Sequence, residues 1–219
     1  LQTIVMLGEQ LSDSVNWETM LEQGDSVTSE ELEAQSSQVN VQDRMMLAYT
    51  SGTTGHPKGV VHCHKPIRNT YERAMLLGHK RNDVHMSYLP LFHAYGFSEV
   101  AMMVGLSGGS QVLFDVFDPD EVLDAVEAER GTVLHGFDSH WADLIRVQEQ
   151  RQRDVSSLRV GTLPAGMEST IPVARQVQEL FCPTTSGFGM SETWAFIASS
   201  HVTDSLEQRT EASGYPMYG

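Results

Sequence analysis

The segment Tyr49-Thr-Ser-Gly-Thr-Thr-Gly-His-Pro-Lys-Gly59 gathers the groups that bind a polyphosphate. Small residues let backbone N–H groups come close to a ligand. The hydroxyls of Thr50, Ser51, Thr53 and Thr54 add donors, and Lys58 adds a flexible point charge for the outer phosphates. Pro57 restrains the loop. The common nucleotide-binding P-loop has its lysine directly after the second glycine and a hydroxyl after that. Here His56 and Pro57 separate Gly55 from Lys58, and Gly59 follows, so this loop is of another kind. It stands against a net charge of −15, from 29 acidic and 14 basic side chains. Such a surface repels phosphate backbones and disfavours nucleic acid as a partner, so any polyphosphate site must be built locally.

Three further segments follow in order: Leu89-Pro-Leu-Phe-His-Ala-Tyr-Gly-Phe97, Gly187-Phe-Gly-Met-Ser-Glu-Thr193 and Ser213-Gly-Tyr-Pro-Met-Tyr-Gly219. With the loop, they resemble the signature motifs of the adenylate-forming (AMP-binding) superfamily, of the acyl-CoA synthetase type. The resemblance covers nearly all the chain beyond about Leu47. It implies activation of a small carboxylic acid by ATP to an acyl-adenylate, then transfer to CoA, with ATP, Mg²⁺ and CoA as cofactors.

The same resemblance implies roles for individual residues. Thr50, Ser51, Gly52, Thr53, Thr54, Gly55 and Lys58 would hold the β- and γ-phosphates. Glu192 would lie near Mg²⁺. Ser191, where the family usually has Thr, would contact the α-phosphate. Phe188, in place of Tyr, would stack on adenine within the frame of Ser186, Gly187 and Gly189, since stacking needs only the ring. Ala165, in Thr162-Leu-Pro-Ala-Gly-Met167, would pack on the adenine, although Pro164 and Gly166 depart from the family pattern. His93 would sit between the carboxylate and the phosphate loop, which makes His93, Lys58 and Glu192 the implied catalytic set. The acyl pocket would draw on Tyr95, Phe97, Phe137, Asp138 and Trp141. Asp138 either binds a polar or cationic substrate group or caps the helix that starts at Ser139 to Trp141.

Other readings stay open. A peptide-synthetase adenylation domain usually has Phe-Asp where Phe92-His93 stands, so the histidine favours a fatty or aryl acid. The motifs fit a luciferase-like oxygenase as well. From another class, a non-catalytic nucleotide-binding or interaction module would share the loop.

These motifs need elements to hold them. Strands are expected over residues 1–7, 45–50, 84–89, 111–114, 132–135 and 158–162. Helices are expected over 65–78, 97–106, 118–129, 140–150 and 171–181, with Ile67, Tyr71, Met75 and Leu76 along one side of the first. Asp118-Pro119 opens its helix with a cap and a proline at the first position. Residues 9–42 form a polar, acidic excursion with a capping-box start at Thr28 to Glu31. From Pro183 onward the chain shows few regular runs. Alternating strands and helices make an α/β fold with a mostly parallel sheet covered by helices on both faces, part of a large N-terminal domain.

The expected division is an entry strand and acidic excursion at 1–46, then an AMP-binding core at 47–219. The mobile C-terminal domain of the family is not in this sequence. The isolated chain is therefore expected to be inactive and to associate with itself through uncovered apolar faces. Cys63 and Cys182 are too few for a disulfide framework. On the extended strand at His62-Cys63-His64, the two histidines share a side and the cysteine does not, which argues against zinc. No run has the length of a membrane span and the first residues do not resemble a signal peptide, so the expected location is cytoplasmic.

Overall fold

The computed structural model describes residues 4–7, 11–51 and 55–217. The chain forms two compact units, Leu1–Asp43 and Arg44–Gly219.

In the first unit, strands β1 (Val5–Met6) and β2 (Val15–Asn16) pair in parallel, and helices α1 (Trp17–Gly24) and α2 (Ser29–Ser36) follow. Helix α2 starts as its sequence predicts. The Thr28 hydroxyl accepts from the Glu31 N–H at 3.2 Å, and the Glu31 carboxylate accepts from the Thr28 N–H at 2.9 Å. Of the strand expected over 1–7, Val5–Met6 is extended and paired, while residues 1–3 lie outside the described residues.

The second unit opens with an antiparallel hairpin, β3 (Arg44–Thr50) and β4 (Lys58–Cys63), whose last register pair is Thr50 with Lys58. Helix α3 (Pro66–Leu76) leads to β5 (Val84–Ser87). A π-helix (Tyr95–Met102) continues as α4 (Met103–Ser107) and leads to β6 (Ser110–Leu113). Helix α5 (Pro119–Glu129), β7 (Val133–His135), α6 (Asp138–Gln150), β8 (Val160–Thr162), α7 (Ile171–Leu180) and β9 (Thr184–Thr185) follow. The five strands pair in parallel in the order β6-β5-β7-β8-β9. The Asp118 carboxylate caps α5 from the N–H groups of Asp120 and Glu121.

The sheet is covered on both faces because its residues alternate sides. Val133 and Val160 pack with Ala74, Leu77 and Met103 from the α3–α4 side. Met86 and Leu134 pack with Val122, Val126, Leu144 and Val177 from α5, α6 and α7. His85 pairs in register with Val133, and His135 lies two residues further, so both imidazoles point to the α3–α4 side.

Three expectations need correction. Helix α3 buries Thr70, Arg73 and Ala74, whereas Tyr71, Met75 and Leu76 are exposed. A buried ion pair from Arg73 to Glu99 replaces the apolar stripe that periodicity selects. The helix expected over 97–106 begins as a wider π-helix at Tyr95. At Gly96, a Cβ would stand 2.4 Å from the Pro90 carbonyl, so this close approach needs glycine. After Pro183, β10 (Gly187–Met190), β11 (Ala195–Ser199) and β12 (Tyr215–Pro216) form an antiparallel ribbon, with helix α8 (Leu206–Glu211) between the last two. Glycine and serine have low strand propensity, so the pattern hides this ribbon.

Candidate nucleotide site

The strand order reverses at β5. The chain passes from β5 to β6 on one side, then places β7, β8 and β9 on the other. Ligands in open parallel sheets bind beyond the carboxyl ends of the strands at such a reversal. The loop after β5 carries His93, the loop after β7 carries Phe137, and the loop after β8 carries Pro164. All three line one cavity of about 590 Å³.

One wall of that cavity is polar. Thr50 and Ser51 come from the end of β3 and Lys58 from the start of β4, facing Ser191 and Glu192 in the short 3₁₀ turn (Ser191–Thr193) after β10. Lys58 and Glu192 are both exposed, and neither has an ion-pair partner among the described residues. A lone ammonium and a lone carboxylate beside hydroxyls suit a phosphate chain and a hard cation. The other wall is apolar, built from Ala94, Tyr95, Phe137, Phe188, Met190, Ala195 and Phe196. The ring of Tyr95 meets Phe137 and Phe196 edge to face, at 5.0 and 5.4 Å between centroids. Its hydroxyl hydrogen-bonds Thr162 Oγ1, and burial raises its pKa far above the usual phenol value.

His93 is exposed, and its Nδ1 accepts from the Tyr95 N–H at 3.2 Å, which leaves Nε2 as the ring's other polar atom. Gly189 is required by close approach, because a Cβ there would lie 1.6 Å from the Ala195 carbonyl oxygen. That contact brings β10 and β11 together and sets Phe188 and Ser191 on the cavity rim.

The structure brings together Thr50, Ser51, Lys58, His93, Tyr95, Phe137, Gly187, Phe188, Gly189, Ser191 and Glu192. Gly52, Thr53 and Thr54 lie outside the described residues, and Gly55 takes a positive φ of 84° in the loop. Five other expected residues do not line the cavity. Trp141 is fully buried in the core and donates its indole N–H to the Thr162 carbonyl at 3.2 Å. Phe97 packs edge-on against Trp194 at 5.7 Å. Asp138 is the first residue of α6, its carboxylate accepting from Ser139 N–H at 2.9 Å, and the cap position falls on Phe137. Ala165 packs against the core and donates its N–H to Ser186 Oγ at 3.0 Å, and Ser186 is itself buried. Both stand behind the wall that Pro164 and Gly187 present. Met190, Ala195 and Phe196 escaped sequence reasoning. The period-two alternation after Gly187 was the available signal, obscured by the 3₁₀ turn that interrupts it.

A second polar cluster lies at the other end of the sheet. His79, Asp83 and His85 each offer one ligand atom, all within 4.8 Å of one another. The carboxylate, however, is already saturated. It accepts from the Lys80 N–H at 2.6 Å, Thr132 Oγ1 at 2.9 Å and both Nε and Nη2 of Arg159. A guanidinium beside the group also repels a cation, so the cluster reads as a structural tie between β5, β7 and β8.

These features define an α/β fold whose strand ends carry a cavity lined by hydroxyls, one lysine and a facing carboxylate. The sequence pattern of the AMP-binding enzyme family matches residues 3–219, and the chain belongs to that family. It is 28% identical to acyl-CoA ligase sidI of Aspergillus fumigatus over 99% of this chain and 37% of that protein. It is 36% identical to the medium-chain fatty-acid–CoA ligase of Escherichia coli over 78% of this chain and 30% of that one. Among solved structures, it superposes on O-succinylbenzoate coenzyme A synthetase of Bacillus subtilis in complex with ATP and magnesium with a TM-score of 0.70. Identity there is 27%, over 82% of this chain and 37% of that one. The chain thus spans well under half the length of these relatives. Among the described residues, no helix is long and apolar enough to cross a membrane.

Proposed function

We propose that this chain carries the nucleotide-binding face of an ATP-dependent acid–CoA ligase, which converts a carboxylic acid to its acyl-adenylate and then to a thioester. One observation carries the reading: Lys58, the Thr50 and Ser51 hydroxyls, His93, Ser191 and Glu192 converge on one cavity with an aromatic wall. Residues 47–219 form the AMP-binding core in this reading. Thr50 through Gly55 and Lys58 hold the β- and γ-phosphates, Ser191 faces the α-phosphate and Phe188 stacks on adenine. Tyr95 and Phe137 bound the acyl end.

A bridging Mg²⁺ needs only one or two protein carboxylates, so Glu192, exposed at the rim and without an ion-pair partner among the described residues, fits that demand. When bound there, Mg²⁺ would supply positive charge toward the pyrophosphate, with Glu192 as the side chain that would hold it. Lys58 offsets phosphate charge from across the polar wall, and His93 orients the carboxylate toward the phosphate loop. The medium-chain fatty-acid ligase among the relatives supports an apolar acid as substrate. The acidic surface fits a cytoplasmic enzyme without a nucleic-acid partner. Self-association through the exposed face of Leu47, Tyr49 and Val61 belongs to the same proposal.

Calorimetry with ATP·Mg²⁺ tests it. Lys58→Ala and Glu192→Gln are each expected to weaken binding by about tenfold or more, ~1.4 kcal/mol. Binding that neither substitution changes would overturn the assignment.

A further inference from the structure

We propose that His62 is a positioning residue, which latches the turn bearing Glu192 to the strand bearing Lys58. This rests on the nucleotide reading above. His62 lies on β4, the strand that begins at Lys58, and only 6% of it is exposed. Its Nε2 is 2.7 Å from the Ser191 carbonyl oxygen, across 129 residues of chain. A carbonyl only accepts, so Nε2 carries the proton and the tautomer is fixed. The ring also meets Trp194 edge-on, with centroids 4.9 Å apart.

The turn it holds is strained. Trp194 and Ala195 are consecutive non-glycine residues at φ of 57° and 70°, in the left-handed region. Such backbone persists only when its surroundings over-determine it. Contacts from within the turn, from α3 and from β4 do so. Thr193 Oγ1 accepts from the Met190 N–H at 3.0 Å, the Trp194 indole donates to Thr70 Oγ1 at 3.1 Å, and His62 grips Ser191. The first is internal to the turn and the second comes from α3. Among the described residues, His62 supplies the hydrogen bond that joins the turn to the phosphate-loop hairpin. The two sides of the polar wall, one with the cation and one with the carboxylate, are thereby held at a fixed separation.

The test uses the 219-residue chain, its His62→Leu variant, which removes the donor, and its His62→Gln variant, which keeps an N–H at similar reach. Titrations with ATP·Mg²⁺ and with AMP separate the roles. His62→Leu is expected to weaken ATP·Mg²⁺ about tenfold while AMP stays within about twofold, and His62→Gln to recover most of the loss. A merely structural residue would weaken both nucleotides together. Hydrogen exchange without nucleotide gives an independent readout: amides of 187–195 should exchange faster in His62→Leu and the rest of the chain should not. If the wild-type chain binds neither nucleotide, the functional reading fails, and exchange alone decides the latch. Should His62→Leu not fold, His62→Asn, polar but too short to reach Ser191, takes its place. Unchanged exchange at 187–195, or equal losses for ATP·Mg²⁺ and AMP, overturns the proposal.

Discussion

Arg73 Nη2 lies 2.5 Å from Glu99 Oε1, and the two side chains are 3% and 0% exposed. The guanidinium also donates to Thr70 Oγ1 at 3.2 Å and Ser98 Oγ at 2.7 Å. This network joins α3 to the π-helix beneath the cavity wall. Removing one member of a buried pair leaves an uncompensated charge, which costs about 3–5 kcal/mol, while replacing both by apolar residues is often neutral. Glu99→Ala is therefore expected to lower stability to urea by about 3 kcal/mol or more. The double variant Arg73→Met/Glu99→Leu should recover most of that loss. A single variant as stable as the wild type would show that the pair holds nothing in place.

Acid should weaken the fold before most carboxylates titrate. Burial, with the neighbouring His85, pushes His79 down to about 3, and burial pushes His85 down to about 4. His135, wholly enclosed, is held below its usual value for the same reason. In the unfolded chain each accepts a proton near ~6.5. Below that pH the unfolded state binds more protons, so stability is flat above ~6.5 and falls as pH drops toward 4. Asp83 acts later. Burial pushes its pKa up, but hydrogen bonds from Arg159, Lys80 and Thr132 outweigh this and bring it to about 2. Its contribution is present above ~3.8 and lost as pH falls through 2. Urea unfolding at pH 7 and pH 5 checks the first window. His85→Gln should show a smaller loss between the two pH values than the wild type, and an equal loss would refute the account.

Gly189 and Gly105 offer a matched pair of substitutions. A Cβ on Gly189 would meet the Ala195 carbonyl oxygen at 1.6 Å, whereas among the described residues nothing lies within 4 Å of one on Gly105 in α4. Gly189→Ala should force β10 and β11 apart and abolish nucleotide binding. Gly105→Ala should leave binding intact and stabilise by about 0.5–1 kcal/mol, since alanine loses less backbone freedom in a helix. Thermal melts with and without ATP·Mg²⁺ report both, and a Gly189→Ala chain that still binds would sink the close-contact argument.

The elements that obey a simple period were legible in the sequence. Asp118-Pro119 announced α5, and the apolar runs at Val84, Val133 and Val160 announced three parallel strands. The α3 face was not legible, because it buries Arg73 rather than Tyr71 and the charge is balanced only by Glu99, 26 positions away in the chain. The chemistry-bearing loops were found by residue type, and the cavity unites Lys58, His93 and Glu192. Residue type could not separate wall from support. Trp141 and Ala165 were both expected in the site yet pack behind the cavity, and that depends on side-chain direction set by tertiary packing.

Thr162 supports the cavity from behind and gives the sharpest test of that distinction. Its Oγ1 meets the Tyr95 hydroxyl and, at 2.9 Å, His135 Nδ1, while its carbonyl accepts from the Trp141 indole at 3.2 Å. Thr162→Val keeps the shape and the carbonyl but deletes the hydroxyl. His135, whose Nε2 has no partner among the described residues, would then lose its hydrogen bond to Thr162 in the interior. The Tyr95 hydroxyl would lose its Thr162 Oγ1 partner and keep its 3.3 Å bond to the Thr162 carbonyl. Each buried polar group left without a partner costs about 1–3 kcal/mol, so the variant should lose stability on that order. Tyr95 also forms the apolar wall against Phe137 and Phe196, so its ring should loosen and the acyl end of the site should discriminate less between acids. Nucleotide affinity should hold, because Thr162 touches none of Lys58, Ser191 and Glu192. A Thr162→Val chain with unchanged stability would mean that this chain of hydrogen bonds does not brace the wall.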